Sequence, residues 1–340
     1  MYLKYATIIV LCLTLWSNLN ASENNLKDNS QIILEKLKKI DNSSNEVVPS
    51  LPKIKYTVNV NFSNDTQKLK SYKVKEVNIA KIDSSKLENI FDFNIAKRNV
   101  RMKHDGSSEL MLWDSDNRSI QYFSSGAIFF QNETTIPDMA QDLLKYHKLD
   151  KSSGKEFYKN KAINFLKKNN LFTKNMKYKQ VSYGVVTQEK KNLKTNKITA
   201  TERVVSVGVE FEYTLNDIPI WGPGAITTVL FDETGVSGYF NRMRNFTDLK
   251  DSDKIEFISA KEAVEKYISL DSPRNLLLSY SGKVKEVIID SVELVYYVKP
   301  INRLQKELHP HYLISGRIIG EGDNGEKVVG ELKWVEIAKK

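Results

Sequence analysis

Over residues 204–213 the chain alternates with strand period: Val205, Val207, Val209, Phe211 and Tyr213 share one parity, Ser206, Gly208, Glu210 and Glu212 the other. Successive side chains of a strand point to opposite faces, so the run predicts a strand with one buried and one wet side. A slip of one residue would bury both glutamates, which leaves few ways to place this segment in a fold.

Two helices are expected on the same grounds. Ser153 and Glu156 have the spacing of a capping box, and Tyr158, Ala162, Phe165 and Leu166 follow on one face. Ser259 and Glu262 repeat the device before Ala260, Ala263, Val264, Tyr267 and Ile268, which keep helical spacing closely. Each helix is followed by β-like runs: 225–231 and 236–246 after the first, and 284–298, 312–319 and 328–337 after the second. Helix then strands, twice, predicts an α+β fold of tandem modules, each one helix packed on an antiparallel sheet. A small mainly β domain is expected ahead of them, from runs such as 56–62, 109–113 and 120–123. The expected divisions are a signal peptide over 1–21, a flexible leader with a short helix over 22–52, the β domain over 53–132, and modules over 133–250 and 251–340.

Turn chemistry supports the strands. Asn216-Asp217 has the length and composition of a two-residue hairpin turn, and Asp232-Glu233-Thr234-Gly235 ends in a glycine suited to positive φ. Gly222-Pro223-Gly224 should interrupt the returning strand as a bulge or edge position, because proline cannot donate to a ladder.

The first residues place Lys4 ahead of an apolar run over 6–16 and a small-residue site at Ala21, the form of a secretory signal peptide. The run is about half of the ~20 residues a spanning helix needs, so export, secreted or periplasmic, without stable membrane insertion is expected. The lone cysteine, Cys12, lies in that run, so no disulfide, thiol nucleophile or cysteine metal site is expected in the exported chain. Lys and Arg exceed Asp and Glu by 51 to 42 over 340 residues, but the excess is dispersed, which argues against nucleic acid as a partner.

The hairpin residues 216–220, Gly222-Pro223-Gly224 and the 232–236 turn resemble the corresponding hairpin and turn of PepSY and thermolysin-propeptide (FTP) domains. Ile258-Ser259-Ala260-Lys261-Glu262-Ala263 is similar to the helix start of PepSY modules, and the resemblance covers about residues 155–340. It implies a cystatin-like, non-catalytic binding, inhibitory or chaperone protein whose partner is a protein or peptide, a protease among the candidates. The alternative it leaves is an envelope regulator of a sensor kinase, of the YycH and YycI type.

No HExxH occurs, since His104, His147, His309 and His311 are followed by Asp, Lys, Pro and Tyr. No nucleophile elbow, P-loop or dinucleotide fingerprint is present either, so neither an enzyme nor a cofactor is expected. His309 and His311 are the candidate metal ligands, with His147 or Glu307 as a third; a metal-dependent enzyme centred on them is the weakest reading. Asp114, Asp116 and Asn117 lack the glycine and glutamate of a calcium loop and read as a turn. Trp221, Tyr239 and Phe240 are the candidate binding residues, an aromatic strip if they are exposed together and core if not.

Overall fold

The computed structural model describes residues 54–62, 69–102, 107–132, 136–191, 195–196, 198–249, 256–270, 282–322 and 324–338. The expected signal peptide and leader lie outside them. Sixteen strands are formed: β1 (Lys55–Val58), β2 (Tyr72–Lys75), β3 (Lys97–Met102), β4 (Ser108–Trp113), β5 (Arg118–Phe123), β6 (Ile128–Asn132), β7 (Met176–Lys191), β8 (Ile198–Leu215), β9 (Ile218–Trp221), β10 (Thr227–Asp232), β11 (Gly235–Asn241), β12 (Asn245–Asp248), β13 (Gly282–Tyr297), β14 (Glu307–Leu308), β15 (Pro310–Gly322) and β16 (Lys327–Ile337). The helices among the described residues are α1 (Ser85–Phe91), α2 (Leu143–Tyr146), α3 (Lys151–Lys168) and α4 (Ala260–Ser269). None is long and apolar enough to cross a membrane.

The tandem of helix-on-sheet modules behind a separate β domain is not what the chain forms. Thirteen strands make one mixed sheet, in the order β16-β15-β13-β9-β8-β10-β11-β6-β5-β4-β3, with β7 on the other side of β8 and β1 on β13. β6 pairs with β11 from Gly238↔Gln131 to Asn241↔Ile128, which sews the early meander onto the sheet. β13 runs parallel to β9 and to β1, which brings in the C-terminal strands. The helices do lie on this sheet, but on a shared one. Parallel pairs between distant segments have no hairpin and so leave no local signal, which is why helix-then-strand order read as two units. A second sheet, β12-β2-β14, is assembled from three distant parts of the chain.

β8 takes up the predicted phase where it matters. Val207, Val209 and Phe211 are fully buried in the main core, beneath Tyr158, Ala162 and Leu166 of α3. Burying a side chain of that size contributes about 1.5–3 kcal/mol. Val205 departs from the pattern. The register with β7 shifts between Gly184 and Val185, so Val204 turns to the main core and Val205 to a small cluster with Ala140 and Val186. α3 starts one turn earlier than expected: Asp150 is its N-cap and Ser153 its reciprocal partner. The Ser259–Glu262 box at α4 is formed as read, with Ser259 N–H donating to Glu262 at 2.6 Å. α4 covers a second core of Val264, Tyr267, Val287, Ile289, Ile314 and Leu332.

Candidate functional site: an aromatic row where the sheet forks

β9 and β10 are consecutive antiparallel partners of β8, Tyr213 pairing with Ile220 and Phe211 with Thr227. Residues 222–226 between them leave the ladder, and there the sheet divides: β10 leads on to β11, and β9 to β13. The glycines of the interruption are explained at this fork. Gly222 has φ +112, and a Cβ on it would meet the Val298 carbonyl oxygen and, at 2.9 Å, the Tyr297 ring. A Cβ on Gly224 would meet the Lys299 carbonyl oxygen. The Val298 N–H donates to the Trp221 carbonyl at 2.8 Å, so strand β13 is seated against a backbone only glycine can provide.

This seating builds a row of rings. Trp221 pairs with Tyr297, and Val295, two residues back on β13, pairs with His311 of β15, so the three rings share a sheet face. The Trp221 and Tyr297 centroids are 5.8 Å apart and those of Tyr297 and His311 5.7 Å. All three are half-buried, with Val295 and Leu313 buried on the same face. The other side of β13 faces the main core through Tyr296, whose ring packs edge-on to Tyr72 at 5.5 Å. Buried Arg244 steadies the following loop by donating to the carbonyls of Lys299, Pro300 and Arg303 at 3.2, 2.7 and 2.8 Å. Burial lowers its pKa to about 10, which leaves it charged at neutral pH.

His311 has a defined chemical state. Burial, the largest influence, holds its pKa below the ordinary imidazole value. Its Nδ1 lies 2.8 Å from the His309 carbonyl, which can only accept, so Nδ1 carries the proton and Nε2 the lone pair. The row thus combines an apolar surface with an acceptor at His311. The Trp221 indole N–H, which makes no hydrogen bond among the described residues, adds a donor.

His309 does not join it. The chain passes between the two sheets from β14 to β15 at this residue, and its ring is held by Ser71 Oγ on Nδ1 (2.7 Å) and Glu307 on Nε2 (2.8 Å). Both ring nitrogens are occupied, and His147 packs elsewhere, against Phe157 at 4.9 Å. Among the described residues no three His, Cys, Asp or Glu side chains are grouped to hold a metal ion. Tyr239 and Phe240 are also apart from Trp221. Tyr239 is buried in the main core, and Phe240 packs on Phe129 at 5.2 Å on the opposite face of β11. Arg242 lies over both phenylalanine rings, at 5.7 and 5.9 Å. The Asp114 turn is filled from within, its carboxylate accepting from Asp116 N–H, Arg118 N–H and Arg118 Nε. A shallow cleft of about 320 Å³ beside α2 is lined by Asp142, Lys145, Lys151, Glu202 and Arg203. Asp142 is spent on capping α2 and Arg203 on the carbonyls of Asp138 and Ala140.

Comparison with known proteins adds little to this geometry. No protein-family model matches the chain, and no curated protein is significantly similar to it. Among solved structures, an uncharacterized protein from Eubacterium rectale ATCC 33656, determined at 1.45 Å resolution, aligns over 86% of this chain and 90% of its own. The identity is 14% and the TM-score 0.44, too loose a likeness to define fold or function.

Proposed function

We propose that this is an exported, non-catalytic protein that binds an extended peptide segment of a partner protein along the row Trp221–Tyr297–His311. The row carries the reading: three half-buried rings on one sheet face, with an indole donor at one end and an imidazole acceptor at the other. A peptide group supplies the complement, a carbonyl for the indole N–H and an N–H for the Nε2 lone pair, while its side chains cover the rings. Affinity gained in this way needs no nucleophile and no metal. It accords with the PepSY-like resemblance read in residues 155–340, whose relatives act by binding.

Panning a displayed peptide library on the full chain, followed by calorimetry of the selected peptides, tests it. Trp221→Ala should weaken binding by roughly tenfold to a hundredfold, as expected for an aromatic anchor, whereas Phe240→Ala, on another face, should leave it unchanged. Selected peptides that bind the Trp221→Ala protein as tightly, or that are cleaved by the wild type, would refute the proposal.

A further inference from the structure

We propose that β16 is a self-complementary sheet edge through which two copies of this chain join, the two β16 strands running antiparallel about a two-fold axis at Leu332. Among the described residues β16 pairs with β15 alone, in one unbroken register from His311↔Ile337 to Glu321↔Lys327. The Ala338 N–H donates to Pro310, toward β15, so alternation turns the N–H and C=O of residues 327, 329, 331, 333 and 335 outward. These odd-numbered positions are the ones an added antiparallel strand would bond.

The sequence around Leu332 reads against itself. About that axis Glu331 lies opposite Lys333 of the second copy and Lys333 opposite its Glu331, a double charge match required by the symmetry of the contact. Within one chain these two side chains, both exposed, pair with each other at 2.8 Å. Val329, more than half exposed, lies opposite Val335. Gly330 lies opposite Trp334, and the space where a Cβ on Gly330 would stand holds nothing within 4 Å, room for the edge of an indole. Aromatic side chains across from strand glycines are a known stabilising device. At the axis Leu332 is already fully buried beneath α4 in its own copy, so the contact there is made by the strand backbones and by the flanking residues.

The other long edges lack these properties. β7 carries a bulge between Tyr178 and Gln180, which spoils it as a template. β3 presents Lys97, Arg98 and Arg101, all of one sign, so a second copy would be repelled.

Sedimentation equilibrium on the full chain is the test. The wild type should form a concentration-dependent dimer. Glu331→Lys and Lys333→Glu each place like charges opposite one another twice, and each should weaken the dimer by roughly tenfold or more. The exchange variant carrying both substitutions restores the match and should dimerise like wild type. Val335→Pro removes an outward N–H without touching the β15 ladder and should also leave monomer, with an unchanged circular dichroism spectrum showing that it folds. A wild type that stays monomeric, a dimer indifferent to either single reversal or to Val335→Pro, or an exchange variant that stays monomeric would each overturn the proposal.

Discussion

His311 couples the candidate site to pH. Its pKa is held below the ordinary value of 6.5 chiefly by burial, so the unfolded chain binds a proton more readily than the folded one. Stability from this group is therefore complete above 6.5 and is lost as pH falls from there toward the folded value. His147 is shifted in the same direction, by burial first and Lys161 second, and adds to the effect. We expect the melting temperature to drop as the pH falls below 6.5, and His311→Gln to flatten that drop by removing one of these two imidazole contributions. An acid slope identical in wild type and His311→Gln would show that the imidazole is not held neutral. Residue types had made His309 and His311 a pair, but their surroundings were not legible. Ser71 and Glu307 occupy one ring and Tyr297 lies beside the other, and only the tertiary structure brings Ser71 and Tyr297 there.

At the scale of elements, legibility follows locality. The Asn216-Asp217 turn is formed with both residues at positive φ, and Leu215 pairs with Ile218 as the two-residue loop requires. The alternation of β8 holds until a bulge, set by the register with β7, reverses Val205; that reversal belongs to two strands and cannot be read in one. Gly222-Pro223-Gly224 was read as an interruption and is one, but its reason, the close approach of residues 297–299, lies some 75 residues downstream by sequence number. A paired substitution isolates that reason. Gly235 has φ +119 with open space around it, whereas Gly222, at φ +112, is crowded by Val298 and Tyr297. Gly235→Ala should cost only the backbone strain, about 1–3 kcal/mol. Gly222→Ala should cost that plus roughly 1–3 kcal/mol of overpacking, and should displace Tyr297 from the row. Urea unfolding compares the two directly, and equal losses would mean that the fork does not depend on the glycine.

At the largest scale, the described part of the chain from Ile54 onward is tied together by contacts that no local pattern announces. Lys55 and Thr57 of β1 both reach Glu286 of β13 at 2.8 Å, more than 220 positions away. The Tyr296 hydroxyl donates to the Lys70 carbonyl at 2.8 Å, and β2 is flanked by β12 and β14, so the beginning, middle and end of the described chain interlock around Tyr72. Periodicity finds the strands; it does not say which strand lies beside which, and tandem modules were the natural reading of elements whose long-range pairing was invisible. The interlock predicts how the molecule unfolds. A fragment ending at residue 250 would keep α3 and its strands but lose β13 beside β9 and β1, β14 beside β2, and the packing of Tyr296 and Leu308 in the main core. Calorimetry of the full chain should show one cooperative transition over residues 54–340, and the fragment should show none. A fragment that melts cooperatively near the temperature of the full chain would mean that the continuous sheet is a seam between independent folding units, because strands that fold without their neighbours do not depend on them for stability.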